Sequence, residues 1–417
     1  MGLPRQHPTT IGNLPGELLS EILIRVPSKP LARMRSVSKP WNHLLSQPSF
    51  IKSHLHRSLH NQEEDETLLV LLSGNYDESC SITAHLSQSP HLQLPDFIEF
   101  PNSPPPRDDY SVTFFGSVNG LICYAFRTDH DDYVIQIWNP SLSTVLTLPP
   151  FNGPCWFPVD NYNYQLHFRF GYDPKTDDYK LVKLMSYTLP SDLTDYLDGT
   201  KVIQPNWYFD NSANDVEEVE VYSMRNGSWK LIESRLPSHV RGIVDEQVVC
   251  ADGYDGRLHW IGSTVNGNKQ TMVTFDLGVE AFGEIPLPNS VVSFNGRRWN
   301  GGLGIYSGKL CVMSSHKLND FEVWVMNEYG VAESWTKLRV FSDFGDVIEP
   351  YGFTTTNKFL FSTRSGSGGW LCSDNYDQLN IYDPDADTVK SFGTLRMRIW
   401  TKIVRYVESL VWVAPAN

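Results

Sequence analysis

Three histidines near the N-terminus lie close enough in sequence to suggest a metal site: His54, His56 and His60. Tetrahedral zinc sites usually combine such histidines with cysteine or carboxylate ligands at characteristic spacings. No such ligand accompanies these three residues in the sequence. The segment therefore predicts solvent-exposed histidines, and we expect no metal ion.

Three aspartates could serve as paired acids: Asp173, Asp276 and Asp383. A propeller glycosidase would need two such carboxylates facing each other across a pocket. Each aspartate, however, follows an aromatic residue at the end of an alternating segment, which is a repeated position. Asx side chains cap turns, and a following proline fixes φ. We therefore expect these aspartates to be structural.

The remaining candidate for chemistry is a glycine-rich segment, SGSGG, at residues 365–369. A phosphate-binding loop would end in Lys-Ser/Thr and open a helix, and this segment has neither feature. We interpret it as a flexible loop between blades. The sequence also contains no Gly-x-Ser-x-Gly elbow and no His-Glu-x-x-His motif. We predict a non-catalytic protein without a cofactor.

The charge is distributed unevenly along the 417 residues. The net charge is -14, yet residues 1–60 contain eight Lys/Arg and two Asp/Glu, so the rest of the chain is strongly acidic. An acidic body argues against nucleic acid as a partner, because phosphates require clustered positive charge. Arg33, Arg35 and Lys39 are accordingly interpreted as interface or solvated charges.

The cysteines and the hydropathy predict the compartment. Six cysteines are scattered without a Cys-x-x-Cys pair, which favours buried free thiols in a reducing compartment. No apolar run is long enough to span a membrane, and the N-terminus does not resemble a signal peptide. We expect a soluble intracellular protein of the nucleus, the cytoplasm or both, with no membrane partner.

Residues 14–55 predict three or four short helices. Pro15 suits a first helical turn, and Leu18, Ile22 and Val26 lie on one apolar face. Ser38 is a natural N-cap for a later helix that contains Trp41. So short a segment cannot bury its apolar residues alone. These helices therefore need a partner, either the rest of the chain or another protein.

The rest of the chain repeats a unit of short strands. Each unit has a turn and a Gly-x-Leu-type strand, as in Asp255-Gly-Arg-Leu-His-Trp, and then an alternating strand that ends in an aromatic residue, as in Leu379-Asn-Ile-Tyr-Asp-Pro. Alternation bounded by turn residues, recurring at this spacing, is typical of propeller blades. We expect about six blades, with large aromatics between them: Trp138, Tyr222, Phe275, Trp324 and Tyr382.

The predicted organisation has four parts. These are a disordered leader (1–10), a helical domain (11–57), an acidic linker (58–66) and an all-β propeller-like domain (67–417), which together make an α+β multidomain chain. We expect residues 406–413 to form a final strand beside residues 67–72, because an open ring would leave exposed strand edges.

Both parts resemble a known family. The helical part resembles the F-box, through Leu14-Pro15, Leu18-Leu19, Glu21-Ile22-Leu23, Arg25-Val26-Pro27, Val37-Ser38-Lys39, Trp41 and Pro48-x-Phe50. The body resembles the F-box-associated, kelch-related domain of plant F-box proteins, through Gly116-Ser-Val-Asn-Gly-Leu, Ile137-Trp-Asn-Pro, Gly171-Tyr-Asp-Pro and Tyr179-Lys-Leu-Val.

The resemblance implies a substrate receptor of an SCF-type cullin–RING ubiquitin ligase. The F-box would bind the Skp-family adaptor, and through it the cullin and RING subunits, while the propeller would present a target protein for ubiquitination and degradation. The expected adaptor-binding residues are Leu14, Pro15, Leu18, Ile22, Leu31, Val37 and Trp41. The alternatives are an F-box scaffold that acts outside degradation, and a carbohydrate-binding or glycosidase-like propeller.

Target binding is expected on loops at one propeller face. Three loops have unusual content: residues 151–164, 189–214 and 295–300. Aromatic and arginine side chains are enriched at protein interfaces. The expected target-binding residues are Trp156, Phe157, Tyr162, Arg297, Arg298 and Trp299.

Overall fold

The structure of this chain is a computed structural model. The described residues are 15–60, 67–72, 83–88, 96–98, 112–127, 133–151, 163–188, 214–244, 254–264, 270–288, 291, 301–317, 320–341, 347–365, 376–395 and 402–413.

Four helices open the chain, as the proline and serine punctuation predicts: α1 (Gly16–Leu23), α2 (Ser28–Arg35), α3 (Lys39–Leu45) and α4 (Pro48–His60). Pro15 and Pro27 are the N-cap residues of α1 and α2. The N-cap of α3 is Ser38, whose side chain accepts a hydrogen bond from the Trp41 N–H at 3.4 Å. This bond satisfies one of the amides that have no partner within a helix. We call these helices the helical domain.

The described residues after the helices form six four-stranded antiparallel sheets. One sheet combines both ends of the chain: β1 (Thr67–Leu72), β2 (Thr83–Gln88), β3 (Asp96–Ile98) and β24 (Lys402–Arg405). The other five are continuous in sequence: β4 (Val112–Val118), β5 (Leu121–Arg127), β6 (Tyr133–Asn139) and β7 (Thr144–Thr147); β8 (Asn163–Asp173), β9 (Asp178–Thr188), β10 (Asn214–Ser223) and β11 (Ser228–Ile232); β12 (Val240–Val244), β13 (Arg257–Thr264), β14 (Gln270–Asp276) and β15 (Ala281–Pro286); β16 (Gly301–Tyr306), β17 (Lys309–Lys317), β18 (Asp320–Met326) and β19 (Trp335–Phe341); β20 (Val347–Phe353), β21 (Phe359–Ser365), β22 (Tyr376–Asp383) and β23 (Thr388–Leu395).

This arrangement confirms a small helical domain followed by a β-propeller. Where the sequence predicts about six blades, the described residues form five that are continuous in sequence and a sixth sheet assembled from both chain ends. Large side chains fill the space between sheets, as predicted: Trp138, Tyr222, Phe275 and Tyr382 are buried, and Trp324 is partly buried.

The prediction for the closing strand is wrong in its position. The strand that pairs with β1 is β24, in antiparallel register from Leu68 opposite Arg405 to Leu71 opposite Lys402. Residues 406–413 continue beyond it without strand pairing. Two of their carbonyl groups accept hydrogen bonds from the Asn139 side chain instead of from a neighbouring strand.

One end of the propeller, which we call the turn end, carries the connections from the first to the second strand and from the third to the fourth strand of each blade that is continuous in sequence. Neighbouring turns are bonded to each other. The Tyr254 hydroxyl donates to the Gly308 carbonyl at 3.1 Å, and the Ser307 N–H donates to Asn357 Oδ1 at 2.7 Å.

The repeated Asx residues close these turns, which confirms the structural interpretation of the three aspartates. In each case Oδ1 accepts a backbone N–H two residues on, at 2.9 to 3.1 Å: Asn139 from Ser141, Asp173 from Lys175, Asp276 from Gly278 and Asp383 from Asp385. These carboxylates serve the turns and do not face each other across a pocket.

Candidate functional site

Apolar side chains stand exposed on the outer side of the helical domain. Leu18 and Ile22 lie one turn apart on α1 and are 53% and 51% exposed. Val37, in the turn between α2 and α3, is 76% exposed. These three are the large apolar side chains that are exposed among residues 15–60. We call Leu18, Ile22 and Val37 the outer face.

The other expected adaptor-binding residues have different positions. Leu31 is fully buried, because α2 directs it into the core shared with Leu23, Leu45 and Phe50. It therefore supports the helices and is not part of the exposed surface. Trp41 is partly buried against the same core, and Pro15 is exposed. Leu14 lies outside the described residues.

The core around Leu31 extends into the propeller. Leu410, from the segment after β24, is fully buried in it, and Leu142, from the turn between β6 and β7, packs against it. We call this side of the helices the inner face. The apolar residues of the helices thus fall into two sets: some pack on the propeller, and others stay exposed.

Polar contacts join the same two parts. Arg405 donates from Nη2 to the Leu59 carbonyl at 2.7 Å, at the end of α4. Lys52 of α4 forms an ion pair with Asp177 of the turn between β8 and β9, with 2.9 Å between Nζ and Oδ2. Asp177 is a turn-end residue, and so is Leu142. The helical domain therefore sits on the turn end of the propeller.

The histidines differ from the sequence expectation at one position. His56 and His60 are exposed as predicted, but His54 is only 2% exposed, and its Nε2 lies 3.0 Å from the Val26 carbonyl oxygen. Burial lowers the pKa of His54 below its usual value, although the Val26 carbonyl and the Glu408 carboxylate oppose this shift. His54 ties α4 to the end of α1.

The expected target-binding residues all lie outside the described residues. Their segments nevertheless connect strands whose ends are known. Residues 152–162 lie between β7 and β8, 189–213 between β9 and β10, and 292–300 between β15 and β16. Because antiparallel strands alternate in direction, all three connections join strand ends opposite the turn end. We call this opposite end the loop end.

Among the described residues of the propeller, two charged side chains that are fully buried are paired with each other. Lys183 and Glu220 have fully buried side chains, with 2.6 Å between Nζ and Oε2, and Glu218 Oε1 lies 3.0 Å from the same ammonium group. The Phe151 ring covers this ammonium group with its centroid at 4.7 Å. The two carboxylates are therefore held in a structural ion pair and do not form the open pair that a glycosidase requires.

Among the described residues, no group of three or more His, Cys, Asp or Glu side chains could hold a metal ion. In the same part of the chain, none of the helices is both long and apolar enough to cross a membrane.

Comparison with known proteins gives the same two domains. Residues 11–53 match the family model of the F-box domain, and residues 68–364 match that of the F-box associated beta propeller domain. The F-box protein CPR1 of Arabidopsis thaliana is 29% identical, over 79% of this chain and 73% of its own length. The F-box/kelch-repeat protein At3g23880 of the same plant is 27% identical, over 87% and 88% of the two chains. Among solved structures, TolB from Acinetobacter baumannii aligns with a TM-score of 0.44 and 12% identity, over 86% of this chain and 72% of that one.

Proposed function

Because the chain belongs to the F-box proteins that carry an F-box-associated β-propeller domain, we propose that it recognises a specific target protein and marks it for degradation. F-box domains generally bind Skp-family adaptors in SCF complexes, and the family generally supplies substrate receptors to these ubiquitin ligases. The propeller would bind the target, and the ligase would modify it. The chain itself would form no covalent bond.

The outer face is the observation that carries the adaptor part of the proposal. Leu18, Ile22 and Val37 remain exposed even though the inner face of the same helices is packed on the propeller. Burying a fully exposed side chain of this kind is favourable by about 1.5 to 3 kcal/mol, and roughly half of that remains to be gained at Leu18 and Ile22, which are already half-buried. An apolar groove on the adaptor would remove this cost, with Trp41 and Pro15 at the margin of the contact.

The position of the F-box helices opposite the loop end of the propeller supports the target part of the proposal. The described F-box helices contact the turn end, and the target would bind at the opposite, loop end. The segments with Trp156, Phe157, Tyr162, Arg297, Arg298 and Trp299 connect strands at that loop end. A bound target would be held at a fixed distance from the ubiquitin donor, and the rate gain would come from proximity.

The experiment is a pull-down from cell extract with the tagged full chain. Leu18→Asp and Ile22→Asp place charges on the outer face, and we expect both to lose the adaptor and the cullin. Leu231→Asp, at a 62% exposed position on the propeller strand β11, is the matched control and should retain both. Retention of the adaptor by both outer-face variants would contradict the proposal.

The same experiment addresses the target and its fate. Proteins held by the propeller should remain bound to the outer-face variants and disappear when Arg297, Arg298 and Trp299 are replaced together by alanine. A captured protein that accumulates in cells on proteasome inhibition fits the receptor role. Capture of the adaptor without the cullin would instead indicate a scaffold that acts outside degradation.

A further inference from the structure

Residues 406–413, which we call the tail, run between the F-box and the propeller and contact both. Leu410 is buried in the core of the helices, whereas Val413 is buried in the core between the first two continuous blades, with Val411 packed against that core. A segment without strand or helix hydrogen bonds needs other partners for its backbone. The tail finds these partners on the turn end.

One side chain, that of Asn139, holds the tail on the propeller. It is fully buried, and its Nδ2 donates hydrogen bonds to the carbonyls of Ser409 at 3.1 Å and Val411 at 2.8 Å. Ser141, in the same turn, accepts the Ser409 N–H on its hydroxyl at 3.2 Å. These bonds fix the tail backbone over the turn between β6 and β7.

The amide of Asn139 has a second task besides closing its turn. Asn327, at the end of the third strand of its own blade, uses its amide nitrogen as a donor to the Ser334 carbonyl and the Thr336 hydroxyl. Asp276 and Asp383, at the equivalent position of two other blades, supply only an acceptor oxygen to the turn. A carboxylate would serve that purpose at position 139 too, but it could not donate to two carbonyl groups. The amide of Asn139 is therefore explained by the tail and not by the turn.

A close backbone approach fixes the tail from the neighbouring turn. Gly120 has a φ of +79°, and a Cβ on it would lie 2.3 Å from the Val407 carbonyl oxygen and 2.8 Å from Ser409 Cβ. Only glycine combines this conformation with this contact. The tail thus fits against two turns of the same blade.

The tail contacts the F-box through three kinds of interaction. Leu410 fills the core of the helices. The Glu408 carboxylate accepts the Ser28 N–H at 3.1 Å, at the start of α2, where the helix dipole favours a negative charge. The Arg35 guanidinium, at the end of α2, lies 5.5 Å from the centre of the Trp412 ring. Helix α2 is therefore held at both ends.

We propose that the tail is a clamp that fixes the orientation of the F-box on the propeller and thereby positions the target relative to the ubiquitin donor. Asn139, Glu408 and Leu410 are its positioning residues: Asn139 and Leu410 are fully buried, and Glu408 is bonded to α2. The role in ubiquitin transfer rests on the proposed function, whereas the clamp itself is a property of the isolated chain.

The first experiment measures the clamp without any ligase. Hydrogen exchange of the full chain should show faster exchange, on the order of tenfold or more, at residues 406–413 and in α2 for Asn139→Asp. This variant keeps the turn acceptor but places a carboxylate against two carbonyl groups. The reciprocal change at an equivalent turn, Asp383→Asn, keeps the turn bonds there and should leave α2 unchanged. Equal α2 exchange in Asn139→Asp and the wild type would overturn the proposal.

A second variant tests the clamp from the side of the helices. Leu410→Ala removes the apolar anchor and leaves every turn intact, so it should raise exchange in α2 even if Asn139→Asp fails to fold. Leu338→Ala, at an exposed position on β19, makes the same chemical change away from the tail and is the control. Unchanged exchange in α2 of Leu410→Ala would also overturn the proposal.

The last experiment uses the lysines of the propeller itself as the probe. In a reconstituted ligase with the adaptor, a fixed orientation should restrict ubiquitin to a few of these lysines. Leu410→Ala should bind the adaptor normally yet spread modification over additional lysines, whereas a purely structural role would lower adaptor binding without changing the pattern. An unchanged pattern with faster exchange in α2 would refute the positioning role. A wild-type chain that binds no adaptor would refute the proposed function and leave the exchange result standing.

Discussion

The outer and inner faces of the F-box helices have similar residues but opposite environments. The outer face exposes about half or more of each of Leu18, Ile22 and Val37. The inner face buries Leu31 and Leu45 completely and recruits Leu410 from the far end of the chain. The difference separates an interface that the helices share with their own propeller from a side that the described residues leave exposed.

The largest effect that distinguishes the two faces is expected from leucine truncation. Leu31→Ala should lower the free energy of opening of the helical domain by about 2 to 5 kcal/mol, because it leaves a cavity in a closed core. Leu18→Ala, the same chemical change on the outer face, should alter it by less than about 0.5 kcal/mol. Hydrogen exchange of the helix amides measures both values. Similar values for the two variants would show that the faces are not distinct.

The outer face should respond in binding where it does not respond in stability. If Ile22 is one of the few central residues that dominate an interface, Ile22→Ala weakens adaptor binding by roughly tenfold or more, because truncating such a residue costs about 2 kcal/mol or more. Val279→Ala, at a 65% exposed position of a propeller turn, should leave the affinity unchanged. Titration of the purified adaptor measures both. An affinity of Ile22→Ala equal to that of the wild type would place the adaptor elsewhere.

The two faces also mark the limit of what the sequence could predict. The apolar spacing in α1 and the capping serine before α3 predicted the helices, and the repeated Asx turns predicted the propeller. Spacing could not predict that Leu31 faces inward while Ile22 faces outward, because both belong to amphipathic helices with apolar residues at similar intervals. That distinction depends in part on the tail, in which Glu408 bonds to Ser28 from 380 residues away in sequence and Leu410 joins the core around Leu31.

The tail and His54 could not be predicted from neighbouring residues either, because their partners are distant in sequence. The alternation in residues 406–413 predicted a strand, but the tail instead bonds to the Asn139 side chain, about 270 residues away in sequence. The sequence did carry one signal, which is asparagine at a turn position that has aspartate in two other blades, at Asp276 and Asp383. The burial of His54 was missed because its partner, the Val26 carbonyl, lies 28 residues earlier in the sequence, just after α1.

A smaller loss of stability of the helical domain should follow from removing the N-cap of α3. Ser38→Ala removes the oxygen that accepts the Trp41 N–H, and such caps contribute about 1 kcal/mol. Ser36→Ala, two residues earlier, removes only a hydroxyl that donates to the Arg33 carbonyl on the exposed surface. It should change stability by less than the cap variant. Thermal unfolding of the two variants side by side measures the difference, and equal losses would argue against a capping role.

The smallest effect concerns pH and involves only the inner face. Because the pKa of His54 is lowered in the folded chain, the unfolded chain binds its proton more readily once the pH falls below the usual value of 6.5. The contribution of neutral His54 to the stability of the folded chain is therefore fully present above pH 6.5 and is lost as the pH falls through the lowered pKa.

His54→Gln keeps a donor for the Val26 carbonyl without titrating, so the helices should lose less stability between pH 7.5 and 5.5. His56→Gln, at an exposed position of the same helix, is the matched control and should retain the wild-type slope. If His54→Gln also retained the wild-type slope, the acid sensitivity of the inner face would have to arise from a group other than His54.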